Sequence, residues 1–316
     1  MHYWRMKRKF LVKSKSLLRP NKISWILGGA FVLFIGQTST LYARQVIDAS
    51  GEKVTVTDRP LRIVTLVPSL GELVAEFIGN NLARIVGVSE YTDYPPTLQK
   101  VSSVGSFVHL NLEKIVSLKP DLVLGTLDGN RKDEVLHLRE LHLPTVLVKT
   151  GSFEEMENSI QLVASLLDKV DEGKLARQKL MSGMSQIRER AKTHLNRKVM
   201  LQVGGDPLVV VGKKSVLHEA IELMGASNIY ADSSVSYPRP SLEDVLRRNP
   251  DFIIVAAMGA DLEPFKKMVQ RWKQFPKLTA VKNRHVILLQ SDALLRPTVR
   301  ILEGLTQLEE AIYGKK

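Results

Sequence analysis

The sequence predicts an α/β protein of two similar lobes, each around a parallel-type sheet, joined by one long helix. Three observations carry that expectation. Short β-rich runs alternate with helical patterns along most of the chain. One amphipathic stretch is long enough to connect two bodies. A fourteen-residue unit occurs twice, 130 residues apart.

RQVIDASGEKVTVTD reads as a β-hairpin, with Val46-Ile47 and Val54-Thr55-Val56 on either side of a turn containing Gly51. RIVTLVP, from Arg62 to Pro68, is a short buried strand, and GELVAEFIG, from Gly71 to Gly79, is a helix closed by glycine. ARIVGVS, DLVLGT and PTVLVK are further apolar β runs separated by helical patterns, as parallel strands covered on both faces require. From Asp171 to His194, Leu175, Leu180, Met181, Met184, Ile187 and Ala191 recur at helical spacing, with Leu195 just beyond. At ~1.5 Å per residue this helix is about 36 Å long. That length spans two lobes, although an ordinary amphipathic surface helix has the same pattern. KVMLQVG, PLVVVG, DFIIVAA and RHVILLQ resume the β pattern, with SVLHEAIELMG as a helix among them and a last helix near Thr298 to Tyr313. The expected division is an N-terminal lobe over 44–170, a linking helix over 171–195, and a C-terminal lobe with its terminal helix over 196–316.

The repeated unit is LEKIVSLKPDLVLG from Leu112 and LEDVLRRNPDFIIV from Leu242. Leu, Glu, Pro and Asp coincide, and apolar positions match apolar ones. Each copy follows a capping-type residue, Asn111 or Ser241, and closes its helix before Pro-Asp and a strand.

The formal net charge of +12 invites a nucleic-acid reading, but its distribution argues against one. Eight Lys and Arg lie within residues 1–22, no acid precedes Asp48, and without those eight the chain carries +4, an ordinary surface. The basic start leads into a mostly apolar run of thirteen residues, Ile23 to Ile35, then GQTST and Leu41-Tyr42-Ala43. Basic region, short apolar region and small residue are the build of a secretory signal peptide over 1–43. A membrane-spanning helix needs about 20 apolar residues. This run falls short of that, and the long Lys-rich start keeps an uncleaved anchor as the alternative. With no cysteine there is no disulfide, lipidated cysteine, thiolate catalysis or cysteine-ligated zinc. Export without a lipid anchor implies, most simply, a soluble protein of a periplasm.

Enzyme motifs are missing. In GGDPLVVVGKKS, Gly205 and Gly212 stand too far apart for a phosphate loop, and Lys213 is followed by Lys214. No GxSxG, HExxH or dinucleotide fingerprint occurs. His137 and His142, five apart, do not share a helix face. His109 is a polar loop residue first, and a ligand to a metal centre inside a bound molecule only second. No catalytic residue, metal ligand or cofactor is expected. A periplasmic α/β hydrolytic or redox enzyme is the reading from a different class, since spatial residue pairs do not show in sequence.

Aromatic loops are the better candidates. SEYTDYPP places Tyr91 and Tyr94 after a β run, SVGSFVHLN places Phe107 before the first repeat helix, and VSYPRPS places Tyr237 at the corresponding point before the second. Aromatics at the mouths of α/β sheets line ligand clefts, or else pack on their own lobe. The matched placement of Phe107 and Tyr237 favours the cleft. Glu113 and Glu243 open the two repeat helices, where an acid complements the helix dipole. They also form a pair of negative knobs, one per lobe.

Taken jointly, RIVTLVPSLGEL, GVSEYTDYPP, VGSFVHLNLEKIVSLKPDLVLG, PRPSLEDVLRRNPD and SDALLRPTVR resemble the cobalamin-type periplasmic binding proteins of ABC importers. These belong to the helical-backbone family that also includes iron-siderophore receptors. The likeness runs from about Val46 to Ile312. It implies two lobes joined by one rigid helix, which 171–194 resembles, with the ligand in a cleft between them. It further implies that Ser69, Tyr91, Phe107 and Tyr237 face the ligand and that Asp292 and Arg296 reach its polar periphery. Glu113 and Glu243 resemble the two acids that engage arginines of the importer's membrane subunits. Where cobalamin binders carry tryptophan, this chain has Phe107, Thr126 and Tyr237; Gly71 replaces a threonine, and Met224 a cysteine that is bridged in some relatives.

The expected function is therefore capture of a corrinoid (cobalamin) in the periplasm and its delivery to an ABC importer by a monomeric, non-enzymatic protein without nucleic-acid partners. A corrinoid is a large, mostly apolar ring with amide fringes that already holds its metal. It needs flat aromatic walls and a few hydrogen-bonding tips. A negatively charged ferric siderophore favours converging cations, of which Arg296 is one and Arg239 a second. A siderophore or haem is the alternative ligand of the same fold.

Overall fold

A computed structural model describes residues 43–314. Apart from Ala43, the segment expected to be a signal peptide lies outside the described residues. The hairpin forms as expected: β1 (Ala43–Ile47) and β2 (Lys53–Thr57) pair antiparallel with Val46 opposite Val54.

The first lobe follows as β3 (Ile63–Thr65), α1 (Pro68–Ile78), β4 (Ile85–Val88), the short antiparallel pair β5 (Gly105–Ser106) and β6 (His109–Leu110), α2 (Leu112–Ser117), β7 (Leu122–Thr126), α3 (Lys132–Glu140), β8 (Thr145–Val148) and α4 (Phe153–Leu166). Its main sheet has the order β4-β3-β7-β8, and every pair is parallel. Parallel neighbours need crossovers, which the intervening helices provide. β7 is buried at all five positions, as a strand covered on both faces must be. α1 begins three residues earlier than the glycine-bounded pattern indicates, because Pro68 fits the first helical turn without losing a hydrogen bond. His109, expected in a loop, sits in β6.

After α5 (Val170–Ala191), the second lobe comprises β9 (Lys198–Gly204), β10 (Val209–Val210), α6 (Val216–Leu223), β11 (Ser227–Asn228), α7 (Leu242–Arg248), β12 (Phe252–Ala257), α8 (Glu263–Trp272), α9 (Thr279–Lys282), β13 (Val286–Gln290), α10 (Asp292–Leu295) and α11 (Ile301–Tyr313). Its sheet runs β10-β9-β12-β13, with β11 also on β9; only β10 is antiparallel.

The repeat is structural as well as sequential. Residues 111–120 and 241–250 share the same burial class at every position. Asn111 and Ser241 each cap their helix, accepting from Lys114 N at 2.9 Å and Asp244 N at 3.2 Å. The aspartate of each Pro-Asp pins the neighbouring strand: Asp121 accepts from Leu61 N and Arg62 N at 2.7 and 2.8 Å, and Asp251 from Lys198 N at 2.9 Å.

α5 has 22 residues, about 33 Å at ~1.5 Å per residue. It packs against α4 of the first lobe and against α6 and α11 of the second, inside one continuous apolar core. Its buried stripe is Gly173, Ala176, Leu180, Met184 and Ile187. Leu175 and Met181, expected on that stripe, are exposed, as is Leu195 beyond the helix end. The stripe starts with small residues because α4 comes so close: a Cβ on Gly173 would lie 2.4 Å from the Ala164 Cβ. Among the described residues, no helix is long and apolar enough to cross a membrane.

Candidate functional site: the cleft between the lobes

The carboxyl ends of parallel strands and the starts of the helices that follow them are where α/β sheets place ligands. Both lobes contribute such ends to one cavity of about 320 Å³. From the first lobe come Ser69, at the start of α1, and Thr126 and Asp128, at the end of β7. From the second come Val216 and Leu217, at the start of α6, and Met258, just after β12. α1 begins without a side-chain cap, which leaves the donors of its first turn for solvent or a ligand.

The structure brings Tyr91, Phe107 and Tyr237 to this cavity as well. They keep 66%, 42% and 49% of their surface accessible, and what marks them is that all three border one cavity. Each ring stands on a loop fixed from behind. Buried Asn130 donates to the carbonyl of Phe107 at 2.9 Å and accepts from Thr126 N at 2.8 Å, tying the Phe107 loop to the end of β7. Tyr237 sits between Ser236 and Pro238, whose carbonyls accept from Gly212 N at 2.8 Å and Val210 N at 3.1 Å. Tyr91 adopts a left-handed backbone at φ 66°, and its carbonyl accepts from Arg296 Nη2 at 3.1 Å. Burial, and then the Asp128 carboxylate, push the Tyr237 pKa up, so its hydroxyl remains neutral at physiological pH.

The two expected polar tips are already engaged within the protein. Arg296 borders the cavity, but its side chain is only 4% exposed. It donates to Glu72 at 2.5 Å and Asp93 at 2.6 Å. Asp292 accepts from Gly259 N at 2.8 Å, holding the turn beside Met258, and is not among the residues that line the cavity. Arg296 thus meets the cavity with its charge already balanced by carboxylates within the protein, whereas Asp292 stands off the lining. Tyr94 is turned away too, its ring lying under the Arg300 guanidinium at 3.5 Å. Glu113 and Glu243 are exposed at the second positions of α2 and α7.

Sequence reasoning missed Asn130, Asp128, Met258 and Glu72. DGN after a buried strand was the available signal for Asp128 and Asn130. Glu72 lay hidden within an apolar helix. Larger hollows exist: about 460 Å³ beside Trp272, about 950 Å³ beside His109 and about 440 Å³ between α4 and α5. None of them draws on both lobes, as the aromatic cavity does. Among the described residues, no three His, Cys, Asp or Glu cluster to hold a metal.

Comparison with known proteins supports the same architecture. The sequence profile of the periplasmic binding proteins matches residues 63–293. The vitamin B12-binding protein of Salmonella paratyphi A is 34% identical over 251 residues, 79% of this chain and 90% of that protein. The crystal structure of the periplasmic vitamin B12 binding protein BtuF of Vibrio cholerae superposes with a TM-score of 0.69 at 29% identity, covering 80% of this chain and 98% of that one. The periplasmic haem-binding protein RhuT of Roseiflexus sp. RS-1 shares the fold with a TM-score of 0.70 at 23% identity, over 80% and 97% of the two chains. By the match of its sequence profile and the agreement of its fold, this chain is a member of the periplasmic binding protein family.

Proposed function

We propose that this protein captures a corrinoid between its lobes in the periplasm and delivers it to the membrane subunits of an ABC importer. One observation carries the choice of ligand. The cleft is walled by Tyr91, Phe107, Tyr237 and Met258, and the one cation on its described lining, Arg296, is already neutralised. An anionic ferric siderophore or the propionates of haem call for free cations. Arg239, the second cation expected to serve such a ligand, is exposed and does not line the cavity. A largely uncharged ring with amide fringes needs flat apolar walls and scattered hydrogen-bonding groups, which Ser69, Thr126 and Asp128 supply. The relatives named for vitamin B12 binding support the same reading. The corrinoid is cargo, so the protein's own task is to bind, orient and release.

Truncating one wall should weaken cobalamin binding by about 1–3 kcal/mol, the burial value of one large side chain. That is roughly a five- to hundredfold loss for Tyr91→Ala or Tyr237→Ala in calorimetry. If the native protein takes up no corrinoid but binds a ferric siderophore or haem, the ligand assignment is wrong. A cleft-dependent hydrolytic or redox activity with no binding of either would remove the transport role as well.

Residues 1–43 serve, in this reading, as an export signal removed after translocation. Intact-mass analysis should find a mature chain starting near Arg44 in soluble periplasmic extract. Recovery of the full chain from membranes would instead make the segment an anchor.

A further inference from the structure

The loop that carries Tyr91 belongs to the first lobe, yet the second lobe holds it at three points. Arg296 donates to the Tyr91 carbonyl at 3.1 Å and to the Asp93 carboxylate at 2.6 Å. Arg300 lies over the Tyr94 ring at 3.5 Å. Both arginines are anchored on Glu72 of α1, whose two oxygens accept from Arg296 Nη1 at 2.5 Å and Arg300 Nη1 at 2.9 Å. Glu72 is 3% exposed, so this pairing sits in the interior at the junction of the lobes. From the other side the loop is seated on α1 itself: a Cβ on Gly71 would lie 2.7 Å from the Thr92 Cγ2, a separation real side chains do not tolerate. Glycine at position 71 is therefore what lets the loop settle onto the helix.

We propose that Arg296 and Arg300 are positioning residues, which act from the second lobe to hold the 91–94 loop so that Tyr91 stands as a fixed wall of the cleft. Their role is to fix the wall in advance, so that binding does not have to order a left-handed, solvent-exposed tyrosine. The affinity consequence rests on the corrinoid reading; the ordering of the loop does not.

The test uses Asp93→Asn, which weakens one tether at a partly exposed position, and Arg296→Lys, which keeps the charge but loses the fork that spans Tyr91 and Asp93. In ligand-free protein, hydrogen exchange at the amides of 91–94 should accelerate about tenfold in both variants, while exchange in β7 and β12 stays unchanged. Cobalamin affinity should fall about tenfold in the Tyr91 background and less than about twofold once Tyr91→Ala is also present. Unchanged exchange at 91–94, or an equal affinity loss in both backgrounds, overturns the proposal. If native protein binds no cobalamin, the corrinoid reading falls, and the exchange result still decides the positioning role.

Discussion

Replacing Glu72 by alanine should cost this protein about 3–5 kcal/mol of stability, the usual loss when one partner of a buried ion pair is removed. The Glu72 side chain is 2% exposed and each of its oxygens takes a guanidinium N–H. Without it, Arg296, 4% exposed, keeps Asp93, whose side chain is 36% exposed, the Tyr91 carbonyl and, at 3.9 Å, Asp292. Arg300 loses its nearest interior acid and retains Glu303 at 3.7 Å on the surface. The cost comes from stranding a cation more than from losing the attraction itself. A paired Glu72→Met and Arg296→Met replacement should therefore be less damaging than Glu72→Ala alone. Urea unfolding of the three proteins measures this directly through the midpoint at constant slope. Asp171→Ala is the control: it breaks an exposed pair with Lys174 in the first turn of α5 and should move the midpoint by no more than about 1 kcal/mol requires. An unchanged midpoint for Glu72→Ala would mean that water reaches the junction and screens both arginines.

Much of this architecture was legible because its signals are local. A two-residue or 3.6-residue period needs only neighbouring side chains, so the hairpin, the buried strands and α5 could be read one window at a time. The fourteen-residue repeat was more informative still. Its Pro-Asp recurs because each aspartate anchors the strand beside it through backbone amides, which is the same structural problem solved once per lobe. The buried stripe of α5 was harder to read: Gly173 and Ala176 lie in it because α4 presses close, and small residues leave no hydrophobic signal. The polar end of the site was only partly legible: Ser69 and Arg296 do line the cavity, but not Asp292. Arg296 reads as a free tip in SDALLR, and what commits it is a carboxylate 224 residues away in the chain. The aromatic loops gave a clearer signal, in which Tyr91, Phe107 and Tyr237 came to the cavity while Tyr94, beside Pro95 in the same loop as Tyr91, packs under Arg300 instead.

Reversing Glu113 and Glu243 together to lysine should abolish uptake while cobalamin affinity stays as in the native protein. The two acids occupy the second positions of α2 and α7, helices whose surroundings share one burial pattern, so each lobe presents the same exposed charge at the same local site. Glu243 is held ionised by hydrogen bonds from its own amide and from the Ser241 hydroxyl, which lower its pKa. In the proposed docking, each knob would meet a cation of the importer's membrane subunits, so reversal would replace an attraction with a like-charge contact in each lobe. Complex formation should fall by about a thousandfold or more, since close interfacial charge pairs carry large couplings and like charges add a penalty. A single reversal should leave measurable docking through the other lobe, and native docking should weaken as salt rises. Neither glutamate borders the cleft, so calorimetry with cobalamin serves as the internal control. Uptake that survives the double reversal would reduce both acids to helix-dipole partners and move the docking surface elsewhere on the lobes.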